Sequence, residues 1–258
     1  LTVCFRCGKD IVLEAKKIVA RIEFDPNSED GEVRHVLEFD HTLFEDRDTI
    51  LCRNNAPLIG MAYRLIHQGK GCHVLGRDIG AGLKALIKKL MGKALDGSIS
   101  LLEERLDDWF VRETRIAISK DQDAKAATIQ DKAESLQAVI DHSGAKTLSG
   151  LIAQIDELFG RESAPIVLST IHKAKGLEWD RVYILNIGLI PSSWSRKAAE
   201  RDPELYGWML QEESNIEYVA VTRAKKELVF IDSKGWPRES RGEGRAVAGP
   251  RDLVDYGE

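Results

Sequence analysis

Only four cysteines stand in the 258 residues, and of these only Cys4 and Cys7 are close together. That scarcity argues against a disulfide-built scaffold and fits a reducing compartment. It also argues against a zinc ribbon, which needs a second close ligand pair, and the first histidine after Cys7 is distant His35. No zinc is expected. No apolar run approaches the ~20 residues that a membrane helix needs, and no stretch has the make-up of a signal peptide, so a cytoplasmic protein without a membrane partner is expected. An excess of positive charge is missing too: 37 Lys and Arg against 42 Asp and Glu give a net charge of −5. Any nucleic acid would therefore be held in local grooves rather than by the field of the whole protein. No internal repeat is found. Leu1 in place of methionine fits a piece of a longer protein.

What remains has an alternating rhythm. Ile11, Val12, Ala15, Ile18, Val19 and Ile22 recur at three and four residues behind Asp10, which predicts an amphipathic helix ending at Asp25-Pro26-Asn27-Ser28. Strands are predicted at Arg34 to Phe39 and Thr49 to Cys52. The next helix carries Leu58, Ile59, Ala62, Leu65 and Ile66 and stops at Gly69; a strand follows at Cys72 to Leu75. Strand, helix, strand at these lengths implies parallel crossover units and an α/β fold. Residues 77–160 change character, being proline-free and rich in Leu, Ala, Lys, Glu and Asp, with Leu101, Leu102, Leu106, Trp109 and Phe110 as a core stripe. This reads as a helical insertion. Strands resume at Ile166 to Leu168, Arg181 to Leu185 and Leu228 to Ile231, and residues 233–258 read as a loose tail or linker.

Two stretches concentrate chemistry. Ser169 to Asp180, between two expected strands, is placed at the carboxyl end of the first, where open parallel sheets hold ligands. It offers hydrogen bonds from Thr170 and His172, a charge on Lys175, close backbone approach at Gly176 and an acceptor for a sugar hydroxyl on Glu178. A plain turn with solvated charges would look similar. The second stretch, Glu212 to Lys226, is a helix with Ile216, Val219 and Ala220 on its core face and Arg223 near its end. An arginine there is favoured by the helix dipole whatever its function.

Taken together, TIHKAKGLEWDRVYIL and EESNIEYVAVTRAKKELVF closely resemble the C-terminal motifs of UvrD/Rep-like superfamily 1 DNA helicases, in the right order and with Ile190-Pro191 between them. TILCRNNA resembles an earlier arginine-asparagine motif of that family, and LTVCFRCGKDIV falls where the family carries an aromatic, an arginine and then a helix. The resemblance covers most of residues 1–76 and 147–232, is weak in the helical middle and is absent from the tail.

The resemblance implies the second of two RecA-like domains, a P-loop NTPase-type parallel sheet flanked by helices. That domain would span 1–76 and 161–232, with 77–160 a reduced accessory insertion. It implies an ATP-dependent DNA helicase translocating 3′ to 5′, bacterial or phage-encoded, with DNA repair among its settings. Arg6 and Arg223 match arginines that reach ATP held on the first domain. Gly176 and Glu178 match positions near the γ-phosphate and ribose, with Lys175 beside them. Thr170, His172, Arg53 and Asn55 match positions that contact single-stranded DNA or the single-stranded 3′ tail of a duplex, and Glu213 and Tyr218 match helix positions that brace Arg223.

Two departures bear on mechanism. The chain has no G-x-x-x-x-G-K-[ST] loop, and GRDIGAG at Gly76 lacks the lysine. ATP and its magnesium would then be held by the N-terminal RecA-like domain, and this chain alone is expected to be inactive. The insertion is also short for the family's accessory subdomain, which puts duplex contacts in question. A non-catalytic single-strand-binding or regulatory module derived from a helicase is the alternative reading, and a zinc module built on Cys4 and Cys7 a third.

Overall fold

The computed structural model describes residues 2–235 apart from 93, 95–96 and 162. Most of the tail expected at 233–258 therefore lies outside the described residues. In chain order the elements are β1 (Val3–Cys4), α1 (Lys9–Lys16), β2 (Glu23–Phe24), β3 (Glu32–Val36), β4 (Thr49–Cys52), α2 (Asn55–His67) and β5 (Cys72–Val74). Four consecutive helices follow: α3 (Arg77–Met91), α4 (Ile99–Ile118), α5 (Asp123–Ser143) and α6 (Leu148–Gly160). Then come β6 (Ile166–Thr170), β7 (Trp179–Leu185), α7 (Ser193–Arg201), α8 (Pro203–Val221) and β8 (Ala224–Ile231). Among the described residues no helix is long and apolar enough to cross a membrane.

Six strands form one all-parallel sheet in the order β3-β8-β7-β4-β6-β5, while β1 and β2 pair separately. The α/β expectation holds, with helices on both faces. Side-chain alternation along the strands explains the two layers. Ile50 and Cys52 of β4, Tyr183 and Leu185 of β7, and Val229 and Ile231 of β8 pack on one side with α2 and α3 to α6. Their neighbours Leu51, Val182, Ile184, Leu228 and Phe230 face the other way, onto α1 and α8. The four inserted helices share the first of these cores with the sheet; Leu102, Leu106, Trp109 and Phe110 are buried in it, as the stripe predicted.

Helix starts follow local capping chemistry. Ser98, Thr147, Ser192 and Asp202 each accept a backbone N–H of the following turn at the head of α4, α6, α7 and α8, and Pro203 stands at the first position of α8. Some expected boundaries shift. The strand predicted at Arg34 to Phe39 runs two residues earlier at each of its ends or more, as Glu32–Val36, and β8 begins at Ala224, before its apolar half.

Candidate functional site

The register of the sheet separates the polar stretches. Thr170 ends β6 level with Cys52 and Leu185, the carboxyl edge of the central strands. From there residues 171–178 run back along the sheet as turns, and Trp179 opens β7 beside Ala224, at the amino edge. Thr170 and His172 thus lie near the carboxyl ends, as expected, whereas Gly176 and Glu178 lie toward the opposite edge. The expectation that the whole stretch sits at the carboxyl end is corrected: eight residues without a helix suffice to return the chain to the start of the next parallel strand.

At the amino edge three segments meet around Thr222. Arg223, between α8 and β8, is 8% exposed. It donates from Nε to the Val219 carbonyl at 3.0 Å, from Nη1 to the Leu177 carbonyl at 2.9 Å and from Nη2 to Thr222 Oγ1 at 3.4 Å. All three acceptors are neutral oxygens. Arg6 arrives from the start of the chain; its Nε donates to Glu178 Oε2 at 2.6 Å and its Nη1 to the Thr222 carbonyl at 3.5 Å. Burial, and then the Arg6 charge, lower the Arg223 pKa from its ordinary value. Two guanidiniums are therefore gathered at one edge, and the buried Arg223, which among the described residues has no carboxylate partner of its own, is the one that an added anion would relieve.

The loop bearing Arg6 is held by backbone contact. Gly8 N–H donates to the Lys225 carbonyl at 2.8 Å, and a Cβ on Gly8 would sit 2.6 Å from Gly31 Cα, so only glycine allows this approach. Gly176 has φ of 87° with open space where a Cβ would be, so its backbone conformation is what calls for glycine. Lys175 is exposed beside it. Lys225 lies 3.8 Å from Glu178 Oε1 and 3.4 Å from Asp180 Oδ1, adding a surface charge network to the edge.

The carboxyl edge is organised differently. Arg53, just after β4, makes a two-pronged pair with Glu213 of α8: Nε to Oε2 at 3.1 Å and Nη2 to Oε1 at 2.9 Å. Ser195 Oγ donates to the same carboxylate at 3.1 Å. Burial alone would raise the Glu213 carboxyl; the Arg53 hydrogen bonds and charge, with Ser195, carry it below the usual carboxylate range. Asn55 donates from its backbone N and from Nδ2 to Asp131 of α5, at 2.9 and 2.6 Å. Burial pushes the Asp131 carboxyl up despite those bonds. His172 faces this cluster, and desolvation, then the Arg53 and Lys175 charges, hold its pKa down. Thr170 is buried, and its Oγ1 accepts the Lys173 N–H at 3.4 Å. A groove of about 680 Å³ runs past Arg53, His172, Asp131, Trp194 and Trp208.

Glu213, expected to brace Arg223, is instead the partner of Arg53. Tyr218 does lie close to Arg223, whose charge acts on its phenol. Sequence reasoning missed the Glu213 role although a signal was present: Met209, Glu213, Ile216 and Ala220 are spaced four, three and four, so the acid stands on the core face of α8. A carboxylate buried there needs a cation. Cys4 and Cys7 find no third metal-ligating side chain among the described residues.

A family model described as the UvrD-like helicase C-terminal domain matches residues 103–235, a little over half of the chain. The chain belongs to the UvrD-like helicase C-terminal domain family. The match begins inside α4, so the UvrD-like family pattern takes in most of the helical block as well as the second half of the sheet. Similar proteins include F-box DNA helicase protein 1 of Schizosaccharomyces pombe, 34% identical over 129 residues, 48% of this chain and 13% of that protein. F-box DNA helicase 1 of Gallus gallus is 26% identical over 249 residues, 90% of this chain and 23% of that protein. DNA helicase II of Rickettsia typhi is 25% identical over 246 residues, 84% of this chain and 36% of its own length. The UvrD-like chain thus spans a minor part of each of these helicases.

Proposed function

We propose that this chain is the second RecA-like motor domain of an ATP-dependent DNA helicase that moves 3′ to 5′ on single-stranded DNA. Residues 1–76 and 161–232 form the motor domain and 77–160 a helical insertion. The observation that carries the reading is the convergence of Arg6 and Arg223 on Thr222 across 216 residues of sequence, with Arg223 held by neutral oxygens alone. Such a pair suits a polyphosphate whose charge spreads over its oxygens during transfer, and a guanidinium aimed there accelerates hydrolysis by roughly 10³ to 10⁵ in other nucleotide hydrolases. Lysine would serve less well, because the planar fork matches phosphate geometry.

In this reading ATP and its magnesium sit on the N-terminal RecA-like domain, and this chain supplies the arginines when the two domains close. Magnesium would neutralise phosphate charge there. Glu178 orients Arg6 through their 2.6 Å contact and accepts a ribose hydroxyl, while Lys175 and the backbone at Gly176 border the phosphates. At the other edge Thr170, His172, Arg53 and Asn55 line the path of the DNA backbone, and the Glu213 and Asp131 partners fix their positions. Closing and reopening would then be coupled to movement along the strand.

The test is reconstitution. The chain alone is expected to hydrolyse no ATP; mixed with its first RecA-like domain it should show DNA-stimulated hydrolysis and should unwind a duplex with a 3′ tail in preference to one with a 5′ tail. Hydrolysis by the isolated chain, or preference for the 5′ tail, would overturn the reading.

A further inference from the structure

The groove of about 680 Å³ beside Arg53 and His172 has aromatic walls that a path for the DNA backbone leaves unused. Trp194 of α7 and Trp208 of α8 stand on one side of it, and Phe110 of α4 with Ala127 and Thr128 of α5 on the other. The helical insertion therefore forms one wall, and the helices next to the sheet form the other. Trp208 is 56% exposed. An indole carries a large apolar surface, and one held open in a groove is prepared to be covered. Trp194 is the fixed member of the pair: its Nε1 donates to Gln130 Oε1 of α5 at 2.6 Å, which ties the two walls together.

The charges in the groove indicate what covers it. Glu213 is already matched by Arg53, and Asp131 is hydrogen-bonded by Asn55 while burial favours its uncharged form. Glu134 and Glu212 remain, set against Arg196 and Lys197 on the same groove. The balance is near zero, so a run of phosphates gains little from this part of the molecule. A flat, uncharged ring gains more, because it stacks on indole, and every nucleobase offers such a face.

We propose that the groove between the helical insertion and α7–α8 is a base-stacking subsite for single-stranded DNA, in which Trp208 stacks a base and Trp194 is the fixed platform beside it. A base turned off the strand at Arg53 and His172 enters the groove and covers Trp208, while its phosphate stays at the mouth. The insertion then acts on the single strand by closing over bases, without choosing among them. The subsite rests on the single-strand reading of the carboxyl edge, and adds to it a residue outside the stretches that resemble the helicase motifs.

The experiment measures, by fluorescence anisotropy over a range of salt, the binding of a labelled oligothymidylate to the chain assembled with its first RecA-like domain. A second strand of equal length and charge carries abasic sites in place of the thymidines. Trp208→Ala should weaken binding of oligothymidylate about 10-fold, with the slope of log affinity against log salt unchanged. Trp208→Phe should restore most of the loss. On the abasic strand, which keeps the phosphates but has nothing to stack, Trp208→Ala and the unmodified protein should bind equally. Equal affinity of the two for oligothymidylate would overturn the subsite. So would an equal loss on the abasic strand, or a flatter salt slope, since either places the lost affinity in phosphate contacts or in the fold. If the unmodified protein binds no oligothymidylate, the single-strand reading itself fails and takes the subsite with it. Binding that His172→Ala weakens and Trp208→Ala does not leaves that reading standing and sinks the subsite alone.

Discussion

The two edges of the sheet use the same residue types to opposite ends. At the amino edge Arg223 is buried against neutral oxygens with Arg6 close by. At the carboxyl edge Arg53 is matched by a buried carboxylate, and Asn55 is held by Asp131. One edge leaves buried Arg223 without a carboxylate partner among the described residues, although Arg6 beside it pairs with the exposed Glu178, and the other spends its charge internally. The lesson is that an arginine's partner tells more than its burial: an edge that leaves a buried guanidinium, here Arg223, facing neutral groups is prepared for an anion from outside, while a neutralised edge is a rigid wall whose shape and remaining donors guide a ligand.

This contrast can be broken in stages. Arg53→Ala strands the Glu213 carboxylate, whose side chain is 4% exposed, and should cost about 3 kcal/mol of stability at neutral pH, read by urea unfolding. Glu213→Ala should cost less, because Arg53 keeps 20% exposure and can rehydrate. A change at Arg223 that destabilised more than Arg53→Ala would reverse the comparison. Gly8→Ala pushes a methyl into Gly31 and should cost about 1 to 3 kcal/mol, read as a lower Tm.

Acid sharpens the same difference. Glu213 has a folded pKa below its unfolded value of about 4.3. Its pair therefore contributes fully above that pH, and the contribution fades as pH falls through the folded value. The stability gap between the unmodified chain and Arg53→Ala should narrow below about pH 4; a gap that stayed constant would deny the pair its role. The smallest effect is expected at the exposed Arg6–Glu178 contact, where both side chains are about two-fifths exposed. Glu178→Gln should change stability by less than about 1 kcal/mol, measured at low and high salt.

The fold was legible where burial and punctuation agreed. Thr49 to Cys52 is fully buried and bounded by polar loops, and the structure starts and stops β4 there. β8 was seen only in its apolar half, since Lys225, Lys226 and Glu227 at its start carry surface charge and hide the alternation. α7 and the first half of α8 were missed: Ser192 to Arg201 carries few large apolar residues, and its helix is set by the Ser192 cap and by packing on α8. The site was harder. No spacing rule joins Arg6 to Arg223, because the sheet brings them together only after β8 has inserted between β3 and β7. Their pairing was suggested by family resemblance alone. The Arg53–Glu213 bridge was legible in principle, since an acid on a core helix face demands a cation, but which cation depends on the register of β4 against α8.

The central claim is a division of labour between the edges, and it is tested most directly by steady-state ATP hydrolysis of the chain with its first RecA-like domain, titrated with single-stranded DNA, comparing Arg223→Ala with His172→Ala. The account predicts that Arg223→Ala lowers kcat by roughly 10³ or more while half-stimulation occurs at the same DNA concentration. His172→Ala should raise that concentration several-fold and leave kcat nearly intact. If both substitutions move the same parameter, or if Arg223→Ala leaves kcat unchanged, the two edges do not divide the work and the account is wrong.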